Sequence, residues 1–387
     1  MYQPEAADSH ELRTTRRPDF EVGDRVFRFA DVFAGCGGLS LGVAQAANDH
    51  GWATDVALAV DIEPAMTAVY KTNFPKAVVE TISVDSIFDG SLSAGLTTAE
   101  NKIIGRIGKV DAVVGGPPCQ GHSDLNNHTR RTDLKNLLYL RMARAAEVLQ
   151  PSIVLIENVP AVQNDKRRLV HNVRQCLTDA GYQVADAVLK LDTMGVPQRR
   201  RRHLLLACRS PWPSPHEVLS SFSRASSVAR DLNWAIGDLA MLADRSGLDY
   251  RPRASEANLA RMEWLLRNDE YDLPNSLRPE CHRNEHSYKS MYGRLKWHEP
   301  AQTITSGFGS IGQGRYMHPG QPRALTAHEA ARIQSFPDYF DFSAAMHRSA
   351  LATMIGNAVP PLLGRMLFCA LFDRFDSDKV GQLELDI

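Results

Sequence analysis

A single thiol sits in a tightly constrained turn, Gly115-Gly116-Pro117-Pro118-Cys119-Gln120-Gly121-His122-Ser123. Two glycines and two prolines fix the backbone ahead of Cys119. The apolar run before them (Val110, Ala112, Val113, Val114) predicts a buried strand that ends in this turn. In open α/β sheets the carboxyl ends of the strands are where ligands bind. A thiol held within about 3–3.5 Å of a target carbon by a rigid turn gains much of its barrier as prearranged geometry. The same residues would also suit a buried structural cysteine, because a free thiol packs as a small hydrophobe. The choice depends on what else the chain brings to that edge.

Two further groups could share the site. Ser152–Ile156 reads as another buried strand, followed by Glu157-Asn158-Val159-Pro160, so a carboxylate closes a strand of the same sheet. Taken alone, Glu157 could equally be a cap or one half of a salt bridge. The tract Gln198-Arg199-Arg200-Arg201-Arg202 lies between two predicted strands, Tyr182–Leu191 and His203–Cys208. Strand alternation would send Arg200 and Arg202 to one side, and Arg199 and Arg201 to the other. Residues 120–210 hold 15 Lys and Arg against 8 Asp and Glu, although the whole chain has a formal net charge of −1. A polyanion would be held in this basic third, unless the charges form an ordinary solvated face.

Positioning these groups requires a sheet, and the amino-terminal half supplies its signals. Val26–Phe33 reads as a strand, Phe33-Ala34-Gly35-Cys36-Gly37-Gly38 as a glycine loop, and Leu39–Ala47 as a helix. Strand, glycine loop and helix together let backbone N–H groups approach a nucleotide-like ligand. The spacing is neither GxGxxG nor a P-loop. Val56–Val60 predicts a second strand closed by Asp61-Ile62-Glu63-Pro64. Asp61 is placed to accept from ribose hydroxyls and Ile62 to lie on a purine face, with a helix N-cap as the other use of Asp61. Asp85, at the tip of a third strand over Val79–Val84, could accept from an exocyclic amine.

Later signals are Leu134–Leu149 and Lys166–Ala180 as helices, and Pro211–Pro215 as a linker opening a stretch of weak sheet patterning. Within that stretch Ser255–Asn268 reads as a helix. Thr303–Gly307 resumes strand and turn, and Thr326–Gln334 is a helix with Thr326 and Glu329 at capping-box positions. Ile355–Pro361 leads into an apolar helix, Leu362–Phe372. Six scattered cysteines without a CxxC pair argue against a disulfide framework or zinc site and favour a reducing compartment. The thirteen histidines show no metal-ligand spacing, so no metal is expected. No apolar run approaches the roughly 20 residues of a membrane helix. Met1–Arg17 is polar and unlike a secretory signal, and residues 1–27 read as a flexible arm.

In this order the motifs resemble the DNA cytosine-5 methyltransferase family. Phe33–Gly38 resembles its cofactor loop, Pro117–Gln120 its nucleophile loop and Glu157–Val159 its acid motif. Gln198–Arg202 is similar to its Gln-x-Arg-x-Arg motif. Arg323-Ala324-Leu325-Thr326 with Glu329–Arg332 resembles its late helix, and Gly356–Pro360 its final cofactor loop. The match covers about residues 28–208 and 297–370. The family usually has Phe where His122 stands and often Ser where Ala358 stands.

The resemblance implies an α/β fold: a Rossmann-like, S-adenosylmethionine-dependent catalytic domain (28–209 with 350–387) and a smaller inserted target-recognition domain (210–349). It implies that Cys119 adds to C6 of a flipped-out cytosine, Glu157 contacts N3 and the 4-amino group, and Arg202 binds O2 with Arg200 in support. The implied cofactor positions are Phe33, Ala34, Gly35, Cys36, Gly38, Leu39, Asp61, Ile62, Asp85, Ser86, Pro118, Leu138, Asn357, Ala358 and Val359. Gln120, Ser123, Asn158, Gln198 and Arg323 are the implied substrate contacts. S-adenosylmethionine would be the donor and S-adenosylhomocysteine the product. The implied partners are double-stranded DNA and, within a restriction-modification system, a cognate endonuclease. A monomer in the cytoplasm, on the nucleoid in a bacterium and with no membrane, is expected. A tRNA-methylating branch shares the cysteine but carries Cys-Phe-Thr, whereas here Cys281 is followed by His282-Arg283. An inactive DNA-binding homologue would not need Cys119, Glu157 and Arg202 together. A small-molecule methyltransferase would not need the large insertion.

Overall fold

Runs of Val, Ile, Leu and Ala bounded by glycine and proline fold as strands buried on both faces, as parallel sheets covered by helices require. The computed structural model describes residues 10–118, 137–224, 229–241, 247–283, 290–345 and 347–385. Its strands are β1 (Val26–Val32), β2 (Ala53–Asp61), β3 (Val79–Thr81), β4 (Ala112–Gly115), β5 (Ile153–Asn158), β6 (Gln183–Lys190), β7 (Gln198–Arg199), β8 (Arg201–Cys208) and β9 (Ala301–Gln302). Seven of them form one sheet in the order β3-β2-β1-β4-β5-β8-β6. Neighbours from β3 to β5 are parallel, and β8 runs antiparallel to both β5 and β6. The order reverses between β1 and β4, which makes their carboxyl ends the switch-point crevice. Val32 pairs with Gly115, so the glycine loop and the turn toward Cys119 leave the sheet side by side.

The described chain divides into two compact units. The sheet unit comprises Pro18–Lys190, Arg201–Ser226 and Val359–Ile387. Its helices are α1 (Gly38–Asp49), α2 (Pro64–Asn73), α3 (Thr98–Ile107), α4 (Leu138–Leu149), α5 (Leu169–Asp179), α6 (Pro215–Arg224) and, last in the chain, α11 (Pro361–Leu385). The core beneath the sheet includes Val32, Leu58, Val113, Met142, Ile156 and Leu205. Helix α11 returns to this unit as expected, and glycine lets it come close. A Cβ on Gly42 of α1 would overlap the Pro361 carbonyl oxygen, and one on Gly364 would press on Leu39. Residues 348–376 have the length and hydropathy of a membrane span. They form two helices parted at Ala358–Pro360, and Phe368 and Phe372 of the second are fully buried.

The second unit comprises Met1–Arg17, Leu191–Arg200 and Ser227–Ala358. It holds α7 (Leu232–Ile236), α8 (Glu256–Arg267), α9 (Ala327–Ile333), α10 (Arg348–Asn357) and the short β7–β9 ladder. A core of Met262, Leu265, Leu273, Tyr292, Ile311, Met317 and Ala324 underlies it. The capping box at α9 is present on both sides, Thr326 to Glu329 and back.

Several expected boundaries move, each for a physical reason. Leu12 and His10 are buried, and the Leu12 carbonyl accepts from Asp338 N, so residues 10–17 belong to the second unit and are no free arm. Pro211–Pro215 is no linker, because Trp212 is buried, stacked on Phe375 at 4.3 Å and edged against Phe27. Residues 210–226 therefore stay with the sheet unit, while 191–200 and 350–358 leave it. The third strand stops at Thr81, and Val84–Ser86 is a single 3₁₀ turn. Strand β5 runs on through Glu157, because its pairing with β8 continues to Asn158 opposite His203.

Candidate active site

At the carboxyl end of β1 the chain turns sharply. Phe33 has φ 65, Gly35 φ 54 and Gly37 φ 97, a left-handed series that opens α1. Nothing lies within 4 Å of a Cβ built on Gly35, whereas one on Gly37 would meet the Tyr70 and Phe74 rings at 3.1 Å. The loop is thus backed by aromatics and open above Gly35. Asp61 closes β2 and ties this loop down, since Oδ2 accepts from Gly35 N at 2.8 Å and Oδ1 from Glu63 N at 2.9 Å. Burial pushes the Asp61 carboxyl upward against these backbone hydrogen bonds. Ile62 is 62% exposed, which leaves an apolar wall beside that carboxylate.

A matching wall was missed in the sequence. Asp61 pairs with Thr81, so Ile82 follows β3 just as Ile62 follows β2, and Ile82 is also exposed. Its signal was available only once the strand was known to stop at Thr81. Asp85 is corrected accordingly: it lies in the turn beyond β3, ion-paired to Arg141 Nε at 2.5 Å and beside Ser83. Ser86 shares that turn and is exposed. Ala34, Gly38 and Leu39 are buried in the loop and the first turn of α1, and Leu138 opens α4 half-buried. Cys36 is 2% exposed and burial pushes its thiol up to about 12, so it is no second nucleophile. Beneath the loop, Asp31 of β1 accepts from Ser40 Oγ at 2.5 Å, and Ser40 meets the Tyr70 hydroxyl at 2.6 Å.

The donor and acceptor set suits S-adenosylmethionine. Backbone N–H groups and open space above Gly35 fit its amino-acid end, the Asp61 carboxylate its ribose, and the two isoleucines a purine.

At the next strand ends, Gly115 must be glycine, because a Cβ would overlap the Val32 carbonyl oxygen. Asn158 Nδ2 donates to Pro117 O at 3.2 Å, which fastens the turn two residues ahead of Cys119 to the end of β5. Pro118 is half-buried, and Cys119, Gln120 and Ser123 lie outside the described residues. Glu157 is 7% exposed and its Oε2 lies 3.3 Å from the Cβ position of Gly116, three residues before Cys119. Arg202 Nε approaches Glu157 Oε1 at 2.5 Å as an ion pair, at an angle that is not a hydrogen bond's. Val359 lies on the other side of Gly116, 3.5 Å from the same Cβ position. Glu157, Arg202, Val359 and the root of the cysteine turn are thus brought together in the sheet unit.

Other expected residues serve elsewhere. The alternation of the arginine tract is as expected, with Arg199 and Arg201 exposed and Arg200 and Arg202 inward. Arg200, however, belongs to the second unit. Its Nη1 donates to Ile304 O at 2.8 Å and its Nη2 to Gly356 O and Ala358 O, each at 3.3 Å, so it positions backbone instead of acting as a catalytic group. Gln198 is fully buried beside it, donating to Ile333 O and to Gln334, and so is not a substrate contact. Arg323 is likewise corrected: both ends of its guanidinium hold Glu329, at 2.7 and 2.8 Å, within a buried pair. Asn357 is exposed at the end of α10, with Ala358 half-buried after it.

Comparison with known proteins agrees with this geometry. The family model for C-5 cytosine-specific DNA methylases matches residues 27–373. Type II methyltransferase M1.BsuMI of Bacillus subtilis is 43% identical over 367 residues, 94% of this chain and 84% of its own. Type II methylase M.HgiDII of Herpetosiphon aurantiacus is 30% identical, over 87% of this chain and 92% of its own. The S. pombe Dnmt2 methyltransferase structure superposes with a TM-score of 0.62 at 17% identity, covering 90% of this chain and 99% of that one, which speaks to the fold alone. From residues, fold and relatives together, the chain belongs to the C-5 cytosine-specific DNA methylase family: it is an S-adenosylmethionine-dependent DNA (cytosine-5) methyltransferase.

Proposed function

We propose that this chain methylates C5 of a flipped-out cytosine in a specific duplex DNA sequence through a covalent bond between Cys119 and C6. C5 of cytosine is a poor nucleophile, and thiolate addition at C6 moves electron density onto it. One hard step thereby becomes two easier ones. Glu157 contacts N3 and the 4-amino group as the ring takes up charge. Arg202 steadies the ring oxygen and, through its ion pair, the Glu157 carboxylate. Bound S-adenosylmethionine supplies an electrophilic methyl carbon. Loss of the C5 proton to water and expulsion of the Cys119 thiolate then restore the enzyme. The sheet unit carries the catalytic and cofactor residues, Phe33, Gly35, Asp61, Ile62, Ile82 and Val359 among them, and the second unit reads the target.

One observation supports this reading above the others. Glu157, gripped by Arg202, lies against Gly116 at the root of the cysteine turn, on the strand end next to the glycine loop. The relatives' Type II names support a place in a restriction-modification system with a cognate endonuclease, and a monomer working in the cytoplasm. The test uses a pool of random duplexes carrying 5-fluorocytosine, incubated with the chain and S-adenosylmethionine. A denaturant-resistant adduct is expected with the wild type and none with Cys119→Ala. An adduct that survives Cys119→Ala would sink the assignment, and methyl label found only in tRNA would reverse the choice of substrate.

A further inference from the structure

We infer that Gln334 is a positioning residue for methyl transfer, holding the Gly356–Ala358 backbone from which Asn357 projects. The inference rests on the proposed role of Asn357 at the cofactor. Gln334 caps the carboxyl end of α9 and is fully buried. Its Nε2 donates to Ile355 O at 2.6 Å and to Gly356 O at 3.3 Å. Its Oε1 accepts from Gln198 Nε2 at 2.6 Å, while Gln198 Oε1 accepts from Ile304 N at 3.1 Å. Arg200 completes the circuit, donating to Ile304 O and back to Gly356 O. Three side chains and two backbone segments thus form a closed ring within the second unit.

The ring admits one amide orientation. Turning Gln334 over would set its NH₂ against that of Gln198 and its carbonyl against two carbonyls, so the network itself fixes which atom is which. Gly356 is pressed against the backbone of Thr305 and Ser306, where a Cβ would overlap both. The loop therefore cannot shift toward those residues, and Gln334 and Arg200 prevent it from shifting away. Asn357 is left exposed on a fixed backbone. Loss of one member strands buried donors or acceptors on the rest, so the effect should be felt around the whole circuit.

Calorimetric titration of S-adenosylhomocysteine into the full chain tests this without turnover. Gln334→Met keeps length and volume while removing the amide. It is expected to weaken binding at least tenfold with the fold intact by circular dichroism. Glu329→Gln, in the same helix but outside the ring, is expected to lower Tm and leave binding within twofold of wild type. Gln334→Glu accepts from Gln198 in either state but can donate to Ile355 O only when protonated. Its affinity is therefore expected to rise between pH 8 and pH 6 relative to wild type. A folded Gln334→Met with affinity within twofold of wild type overturns the inference, as does equal weakening by Glu329→Gln. If Gln334→Met does not fold, a flat profile for Gln334→Glu overturns it. Failure of the wild type to bind S-adenosylhomocysteine sinks the cofactor reading itself.

Discussion

Glu157 acts at a strand end, and its environment separates its two roles. The ion pair with Arg202 orients the carboxylate, while Oε2 stays close to the backbone that leads to Cys119. Glu157→Gln keeps the shape but loses the charge that grips Arg202 and the proton-transfer capacity. Initial rates with labelled donor are expected to fall about 10²- to 10⁴-fold, and a loss under tenfold would remove Glu157 from the chemistry. Asp31 makes a second residue-scale prediction. Burial raises its carboxyl to about 7, partly offset by Ser40, with Asp61 adding to the rise. A folded-state value above the unfolded one means the stabilising neutral form is fully present below about pH 4 and is lost as pH rises through 7. Asp31→Asn should therefore become more stable than wild type as pH rises from 5 to 7, the gap reaching about 4 kcal/mol. Urea unfolding at pH 5, 6, 7 and 8 checks this, and a gap that does not widen counts against it. Cys119, Glu157 and Arg202 were legible because strand-end position alone marks them. Arg323 misled because a sequence does not say whether a guanidinium faces phosphate or turns inward on a carboxylate six residues later. Gln334 was silent because its partners are carbonyls from segments remote in sequence.

Helices and strands were legible where one pattern decides them. The runs that became β1, β2, β4 and β5 are continuous apolar stretches, and their ends moved only where pairing overrode composition, as at Glu157. Helix α3 was not seen, though its signals are local: Thr97 accepts from Glu100 N, and the Glu100 side chain accepts from Thr97 N. The same Glu100 is fully buried against Arg144, which also holds the Ala94 and Gly95 carbonyls and Glu147. Hydrogen bonding from Arg144 holds the Glu100 carboxyl down at about 2 despite burial. With the folded value depressed, the pair stabilises above the ordinary carboxylate range and its contribution fades as pH falls toward 2. Arg144→Met leaves Glu100 buried and unpaired and is expected to cost about 3–5 kcal/mol. Chemical denaturation at pH 7 measures it, and a cost below about 1 kcal/mol, ordinary for an exposed pair, would mean that water reaches the carboxylate.

At the scale of the molecule, sequence order and spatial grouping part company. The resemblance anticipated an insertion, but not that residues 10–17 would fold with it, since nothing in a short polar stretch announces a docking partner 200 residues away. His10 stacks on Trp234 at 4.4 Å, Arg13 pairs with Asp238 at 3.3 Å, and the backbone of 12–14 is bonded to Asp338 and Tyr339. Arg332 holds Asp238 and Asp338 from the other side, so the segment closes an ionic cluster against α9. Removing residues 1–17 strips the cover from Trp234 and leaves Asp238 with one cation fewer, whereas the sheet unit loses no strand or helix. Local stability should therefore fall in one unit only. Limited proteolysis of the truncated chain, with cleavage sites read by mass spectrometry, is expected to cut within 227–358 at least tenfold faster than in the full chain. Cleavage within 26–115 should proceed at the full-length rate. Equal acceleration in both regions would show that the segment supports the whole molecule, and no acceleration in either would show that its contacts add nothing to the second unit.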